Sequence, residues 1–231
     1  MIGRISEIFS SVQGEGIRAR EHMVFVRFTG CNLSCDYCDT PHSRYIIAGT
    51  IFTLEEVIAE IETHLAKNRK ISTIAFTGGE PLLHSGLIAE IIRHFKKKGI
   101  KTYIDTNGTL CEKFRLIADD VECVAMDIKL PSANGGKEFW DLHREFLNIA
   151  QKNIFVKVVL TENTTLEEFK KAIDMVEGIN KSIPTVLQPS TPVKDVGTVS
   201  PELLDSFHKI AKQKLKNIYV IPQMHRKWGV K

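Results

Sequence analysis

The sequence predicts an α/β protein folded as a partial (β/α) barrel. Apolar stretches rich in Val, Ile and Phe alternate with helical patterns through most of the chain. That alternation implies parallel strands joined by right-handed crossovers. An open doubly wound sheet would satisfy it equally. Length favours the partial barrel, because the 231 residues fall short of the roughly 250 that a complete eight-unit barrel usually takes. In either architecture chemistry gathers at the C-terminal ends of the strands, and the polar motifs of this chain fall there in series.

Strands are expected at Met23–Thr29, Ile71–Phe76, Lys101–Asp105, Val121–Ile128, Ile154–Leu160, Thr185–Gln188 and Ile218–Ile221. The first helix is expected to start at Thr53, with Leu54, Val57, Ile58, Ile61 and Leu65 on one face. Thr53 with Glu56, and Thr165 with Glu168, are capping boxes. Ser200-Pro201 marks another helix start. Gly99 closes the helix holding Ile91, Ile92 and Phe95. Thr53–Asn68 and Ser85–Lys98 both read as full helices, which predicts a comparatively complete barrel.

Hydrophobic content of 43% and charged content of 26% are those of an ordinary globular protein. A net charge of +3, with lysines in short clusters at helix ends, leaves no footprint that demands nucleic acid. No apolar run has the length of a membrane span, and MIGRISEIFSS lacks a signal-peptide core. Of five cysteines three are bunched, which is no disulfide framework and predicts a reducing cytoplasm.

Those three lie in GCNLSCDYCDT. Cys31, Cys35 and Cys38 are spaced C-x3-C-x2-C, directly after a strand. Thiolates select zinc or iron–sulfur clusters. A structural zinc site wants four closed ligands, and Cys111 and Cys123 are distant and isolated, Cys123 reading as a buried core thiol. A catalytic zinc with water as fourth ligand remains open. A cubane cluster with three irons held and one left for a ligand explains the shortage better. Thr77-Gly78-Gly79-Glu80 follows the second expected strand, Asp105-Thr106-Asn107-Gly108 the third, Asp127-Ile128-Lys129 ends the fourth and Gln188 a later one. Glycines after a strand let backbone approach a ligand closely; a plain turn is the bland alternative. Arg27 sits in the otherwise apolar run Val24, Phe25, Val26, Phe28. A cation placed there wants a carboxylate or phosphate, so the neighbourhood asks for an anionic ligand.

The cysteine spacing, Tyr37 before the last cysteine and the GGE sequence resemble the radical S-adenosylmethionine (SAM) superfamily. That resemblance implies a (β/α)6-type barrel, a [4Fe–4S] cluster on Cys31, Cys35 and Cys38, and SAM on its open iron. Reductive cleavage of SAM would yield a 5′-deoxyadenosyl radical, so no side chain carries the radical. It implies SAM contacts from Tyr37, Cys38, Asp39, Gly79, Asp127, Ile128, Lys129 and Gln188. The wider set SVQGEG, VFVRFTGCNLSCDYCDT, FTGGEPLL and VIPQMH is similar to the 7-carboxy-7-deazaguanine synthase family, from the N-terminus to the last residues. This implies a lyase that converts 6-carboxy-5,6,7,8-tetrahydropterin to 7-carboxy-7-deazaguanine with loss of ammonia, in deazapurine (queuosine or archaeosine) biosynthesis. It implies pterin contacts from Val12, Gln13, Gly14, Glu15, Arg27, Thr77 and His225, with Arg27 on the carboxylate. It implies Mg²⁺ on Thr40, which alone would read as a turn residue before Pro41. It implies one domain over 1–231, with an N-terminal substrate-binding segment and a C-terminal extension. A homodimer and an electron donor such as flavodoxin or ferredoxin are further implications. In relatives the chain end can approach the pterin; the sequence leaves that open for Lys231.

Two rival readings compete. An activase of glycyl-radical enzymes shares the cysteines and GGE but gives no reason for Gln13-Gly14-Glu15, Arg27 and Thr40 together. A zinc module predicts a colourless, iron-free protein.

Overall fold

The structure is a computed structural model that describes residues 1–150, 153–193 and 196–230; Lys231 lies outside them. Its centre is one nine-stranded sheet. In chain order the strands are β1 (Ile2–Val12), β2 (His22–Phe28), β3 (Thr50–Thr53), β4 (Thr73–Gly78), β5 (Lys101–Thr106), β6 (Cys123–Ile128), β7 (Ile154–Leu160), β8 (Thr185–Pro189) and β9 (Ile218–Val220). The helices are α1 (Leu54–Lys67), α2 (Ser85–Lys96), α3 (Cys111–Arg115), α4 (Trp140–Ile149), α5 (Leu166–Asn180), α6 (Pro201–Lys214) and α7 (His225–Trp228).

Spatial order is β3-β1-β2-β4-β5-β6-β7-β8-β9. From β2 through β9 every neighbour is parallel. One of helices α1 to α6 follows each of β2, β4, β5, β6, β7 and β8 before the next parallel strand. This is the expected (β/α)6 arrangement. β1 and β3 add an antiparallel edge that the sequence reading missed. The barrel is less complete than expected: α1 and α2 are full helices, but α3 has five residues, and the sheet ends at β3 and β9 without these two pairing.

Both capping boxes form. Thr53 Oγ1 accepts from Glu56 N while Glu56 returns to Thr53 N, and Thr165 does the same with Glu168. Glu168 Oε2 also accepts from Ser132 N at 2.9 Å, so one cap ties α5 to the loop after β6. Ser200 caps α6 ahead of Pro201. Gly99, at φ +71°, takes the left-handed turn after α2 that a Cβ would oppose.

The parallel strands β2 and β4 to β8 are largely buried on both faces, as crossover helices require, while β9 at the sheet edge is half exposed. One face packs on the helices through Val24, Val26, Phe28, Ile74, Phe76, Ile104, Val124, Met126, Ile128, Val156 and Val158. The opposite face lines the barrel interior. There a separate cluster of Phe9, Met23, Phe25, Ala75, Tyr103, Cys123, Ala125, Phe155 and Val186 fills one end. Cys123 is buried in it as expected.

Candidate active site

Six inward positions change character in a single pleat step. Because side chains alternate across a strand, residues i and i+2 share a face. Along β2, β4, β5, β6, β7 and β8 the interior passes from Phe25 to Arg27, Ala75 to Thr77, Tyr103 to Asp105, Ala125 to Asp127, Phe155 to Lys157 and Val186 to Gln188. The first of each pair belongs to the apolar interior cluster. The second lines a cavity of about 490 Å³ at the C-terminal ends of the strands.

Of the residues expected to bind cluster, SAM, Mg²⁺ or pterin, the structure brings all but one to that cavity. Val12, Gln13, Gly14, Glu15, Arg27, Cys31, Cys35, Tyr37, Cys38, Asp39, Thr40, Thr77, Gly79, Asp127, Lys129, Gln188 and His225 line it. Ile128 does not: its side chain is 1% exposed and packs in the helix-facing core. Only its backbone is left to serve a ligand.

The cysteine loop is held on three sides. Gly79 N donates to Phe28 O at 3.0 Å and Glu80 N to Gly30 O at 2.8 Å. A Cβ on Gly78 would fall 2.0 Å from Phe28 O, and one on Gly79 2.1 Å from Gly30 O. The two glycines were expected to admit a ligand; their tightest contact is with the backbone that launches the cysteine loop. Asn32 Nδ2 donates to Thr109 Oγ1 at 2.8 Å and its Oδ1 accepts from Asn107 Nδ2 at 2.9 Å. On the third side Asp36 N donates to Ala133 O, and Cys35 Sγ to Asn134 Oδ1 at 3.1 Å. Glu80 organises this frame. It is fully buried and accepts from Leu82 N, Thr106 Oγ1 and Asn107 N. Burial pushes its carboxyl up to about 7 despite those donors. The three thiols are half-buried. Burial raises Cys31 to about 11 and raises Cys35, so a thiolate there requires a cation.

The interior floor is a charge network that sequence reading missed. Lys157, 2% exposed, meets Glu15 at 2.8 Å, Asp105 at 3.0 Å and Asp127 at 3.3 Å. Asp127 also pairs with Lys129 at 2.7 Å, and Lys129 Nζ donates to Tyr37 Oη at 3.1 Å. Three carboxylates thus face two ammonium groups. Asp105 absorbs the mismatch: burial lifts it to about 7 against the pull of Lys157. Glu15 is lowered; burial opposes ionisation, and Lys157 overrides it.

Arg27 finds its anion within the sheet. Its Nη1 lies 2.8 Å from Glu7 Oε1, and its guanidinium stands over the Phe9 ring. The other N–H groups of the fork remain for a ligand. The hairpin after β1 is self-bonded: Gln13 N donates to Glu21 O, Gln13 O accepts from Arg20 N, and Gln13 Oε1 accepts from Glu15 N. Gln13 therefore offers a ligand its Nε2. Met224 N donates to Gly14 O at 2.8 Å. Gln223 Nε2 donates to Glu15 Oε1 at 2.8 Å and Asp39 Oδ2 at 3.3 Å. His225 approaches Asp39 at 3.4 Å. These contacts bridge from the hairpin to the segment after β9.

Thr40 precedes the 3-10 helix Pro41–Arg44 and its carbonyl accepts from Ser43 N, the turn role its neighbour predicts. Beside it, Glu15, Asp39 and His225 place donor atoms within 4.8 Å of one another.

The site fits the groups the sequence implies. Three thiols converge on one loop against a cavity of cofactor size. Gln188, 1% exposed, leaves its buried Oε1 without a hydrogen-bond partner among the described residues, an acceptor aimed at nothing the chain supplies. Oxygen donors near Thr40 suit a hard cation. Sequence reading puts Asp105 at the polar rim without a role; the sequence-level signal for Lys157, which was missed, was the alternation itself, a polar residue where the interior face should continue apolar.

A profile of the Radical SAM superfamily matches residues 25–176. A 7-carboxy-7-deazaguanine synthase from Geobacter sulfurreducens is 34% identical over 97% of this chain and 96% of its own. Enzymes of the same name from Methanothermobacter thermautotrophicus, 32% identical over 98% and 97%, and Methanocaldococcus jannaschii, 32% identical over 98% and 99%, also match. Among solved structures, QueE from Escherichia coli superposes with a TM-score of 0.65 over 96% of this chain and 94% of that one, at 20% identity. A radical SAM methyltransferase from Sphaerobacter thermophilus gives the same TM-score at 14% identity, covering 93% and 77%. Those two likenesses speak to fold alone. The activase alternative gains nothing from these relatives. Full-length identity, the superfamily match and a cavity that unites the cysteine loop with the Gln13–Glu15 hairpin converge: the chain belongs to the 7-carboxy-7-deazaguanine synthase family of the radical SAM superfamily.

Proposed function

We propose that this chain converts 6-carboxy-5,6,7,8-tetrahydropterin to 7-carboxy-7-deazaguanine with release of ammonia, a step of deazapurine biosynthesis. The observation that carries the reading is the single cavity walled by the cysteine loop and by the hairpin and C-terminal segments. Cys31, Cys35 and Cys38 would hold a [4Fe–4S] cluster, and Tyr37, Asp39, Gly79, Asp127, Lys129, Gln188 and the Ile128 backbone would hold SAM, which together supply a carbon-centred radical able to take hydrogen from an unactivated C–H bond.

The remaining work belongs to the chain. Arg27 keeps donors beyond its Glu7 contact and takes the substrate carboxylate. Glu15, ionised by Lys157, accepts from the guanidine-like edge of the pterin. Gln13 Nε2 donates to a ring acceptor, and Val12, Gly14, Thr77 and His225 complete the wall. Thr40 would offer its hydroxyl to Mg²⁺, a hard cation that would neutralise the substrate carboxylate. The apolar cluster beneath closes the far end of the interior and so keeps water from the reacting carbon.

The chain acts as one domain, and the segments before β2 and after β9 serve the substrate. A cytoplasmic homodimer fed by flavodoxin or ferredoxin completes the reading. No helix among the described residues is long and apolar enough to cross a membrane.

The test is anaerobic. Iron–sulfur-reconstituted protein receives SAM, reductant, Mg²⁺ and the carboxytetrahydropterin, and mass spectrometry follows the deazaguanine acid. Product is expected from the native chain, none from Cys35→Ala and less from Arg27→Ala. SAM cleavage without deazaguanine would overturn the substrate, and a zinc-loaded, iron-free protein would overturn the cluster.

A further inference from the structure

A second cavity, about 350 Å³, lies against the cysteine loop. Cys31 and Leu33 line both cavities, so the loop is a partition one residue thick between them. The second cavity also has Arg44, Tyr45, Asn134 and Lys137 in its wall. None of the pterin contacts named above reaches it.

Its lining carries two cations and no carboxylate. Some exposed cations elsewhere are neutralised locally, among them Lys96 by Asp120, Lys98 by Glu62, Lys171 by Glu138, Lys214 by Asp174 and Arg115 by Glu112 and Glu145. Among the described residues no carboxylate pairs with Arg44 or Lys137. Asp36, exposed on the same loop, does not line the groove. Beside Arg44 the chain shows Tyr45 at 67%, Ile46 at 50% and Ile47 at 80% exposure. A small anion would use the two cations and leave these apolar side chains in water. A protein with an acidic patch around an apolar centre would use both.

We infer that this groove is where an acidic one-electron carrier protein docks to reduce the cluster, with Lys137 and Arg44 setting its orientation and Tyr45–Ile47 its apolar contact. The inference rests on the cluster reading of the cysteines. One electron leaves the carrier, which is oxidised, and enters the cluster behind Cys31, which is reduced; no bond forms or breaks and no proton moves. Delivery through this groove leaves the substrate cavity closed.

The test uses cluster-loaded enzyme and a recombinant acidic flavodoxin, and measures both binding by calorimetry and SAM cleavage. Arg44 also lines the main cavity, so Lys137→Glu carries the result. Charge reversal is expected to weaken flavodoxin binding roughly tenfold at low salt and to flatten its salt dependence, while Lys137→Arg binds like the native chain. SAM cleavage driven by dithionite should be unchanged in Lys137→Glu, and flavodoxin-driven cleavage should fall. Unchanged binding and unchanged flavodoxin-driven rate would overturn the groove as docking site. So would a change confined to the oligomeric state of the free enzyme, which would assign the groove to a second copy. A native enzyme inert even with dithionite would reject the cluster reading instead.

Discussion

Glu15 and Lys157 stand 142 positions apart in the chain and meet at 2.8 Å on the floor of the cavity. The hairpin carries one, the middle of β7 the other. Lys157 ionises Glu15, and Gln223 fixes the second carboxylate oxygen. Glu15→Gln keeps the size and removes the charge. The KM for the pterin is expected to rise about tenfold or more, the effect of losing a charged hydrogen bond. SAM cleavage without pterin should stay within about twofold. An unchanged KM would remove Glu15 from substrate recognition.

Lys157 itself is a stability residue. Removing it leaves three carboxylates without their shared cation. Lys157→Met is expected to cost the cluster-free protein on the order of 3 kcal/mol, read as a lower urea midpoint. If the midpoint did not move, the network would be too wet to matter.

His143 contributes one separable part of the pH dependence. It is fully buried, its Nε2 donates to Asn107 O at 3.1 Å, and its Nδ1 has no hydrogen-bond partner among the described residues. Burial lowers it from 6.5 to about 4. The unfolded chain binds this proton as pH falls through about 6.5, and the folded chain refuses it until about 4. Its contribution is therefore full above pH 6.5, declines between 6.5 and 4 and is level below. The decline amounts to ~3 kcal/mol. Glu80 and Asp105, raised to about 7, act with the opposite sign over the same range, so His143→Gln should make the slope of stability against pH there more negative by about one proton's worth, measured by denaturation of the cluster-free protein; an equal slope in both proteins would contradict the assignment.

Two glycines should respond in opposite directions. Gly79→Ala drives a Cβ into Gly30 O and Ser43 O, so it should lose about 2 kcal/mol or more and bind less iron per chain after reconstitution. Gly178→Ala, within α5 and with nothing inside 4 Å of the new methyl, should gain about 0.5–1 kcal/mol. Equal thermal midpoints for the two variants would show that the cysteine loop gives way easily.

What the sequence revealed follows from periodicity. The parallel strands β2 and β4 to β8 were legible because two-sided burial makes them near-continuous apolar runs, as Ile154–Leu160 shows, with every residue buried; β9 was legible from its short apolar run although it is half exposed. β1 escaped because its IGRISEIFSSV mixes buried and exposed positions and serves as an antiparallel neighbour to the edge strand. β3 and α3 were too short for any period to show. The cysteine loop, GGE and the Gln13–Glu15 hairpin were legible as motifs. Lys157 was not singled out because its three partners come from distant segments. Ile128 was carried along with its neighbours in a motif, although alternation turns its side chain to the other face. Arg27 was expected to await an anionic ligand; the structure gives it a protein anion, Glu7, on the strand that was missed.

The step from apolar to polar, repeated two residues apart in six strands, separates what the molecule is from what it does. Helix-facing residues and the first inward residue of each strand build the barrel; the second inward residue touches the ligand space. A lineage can therefore exchange Arg27, Thr77 or Gln188 singly, and the Lys157 network as a unit, and explore new substrates while the scaffold beneath keeps folding. One barrel can be inherited by many chemistries because its innovations and its architecture occupy different rungs of the same ladder.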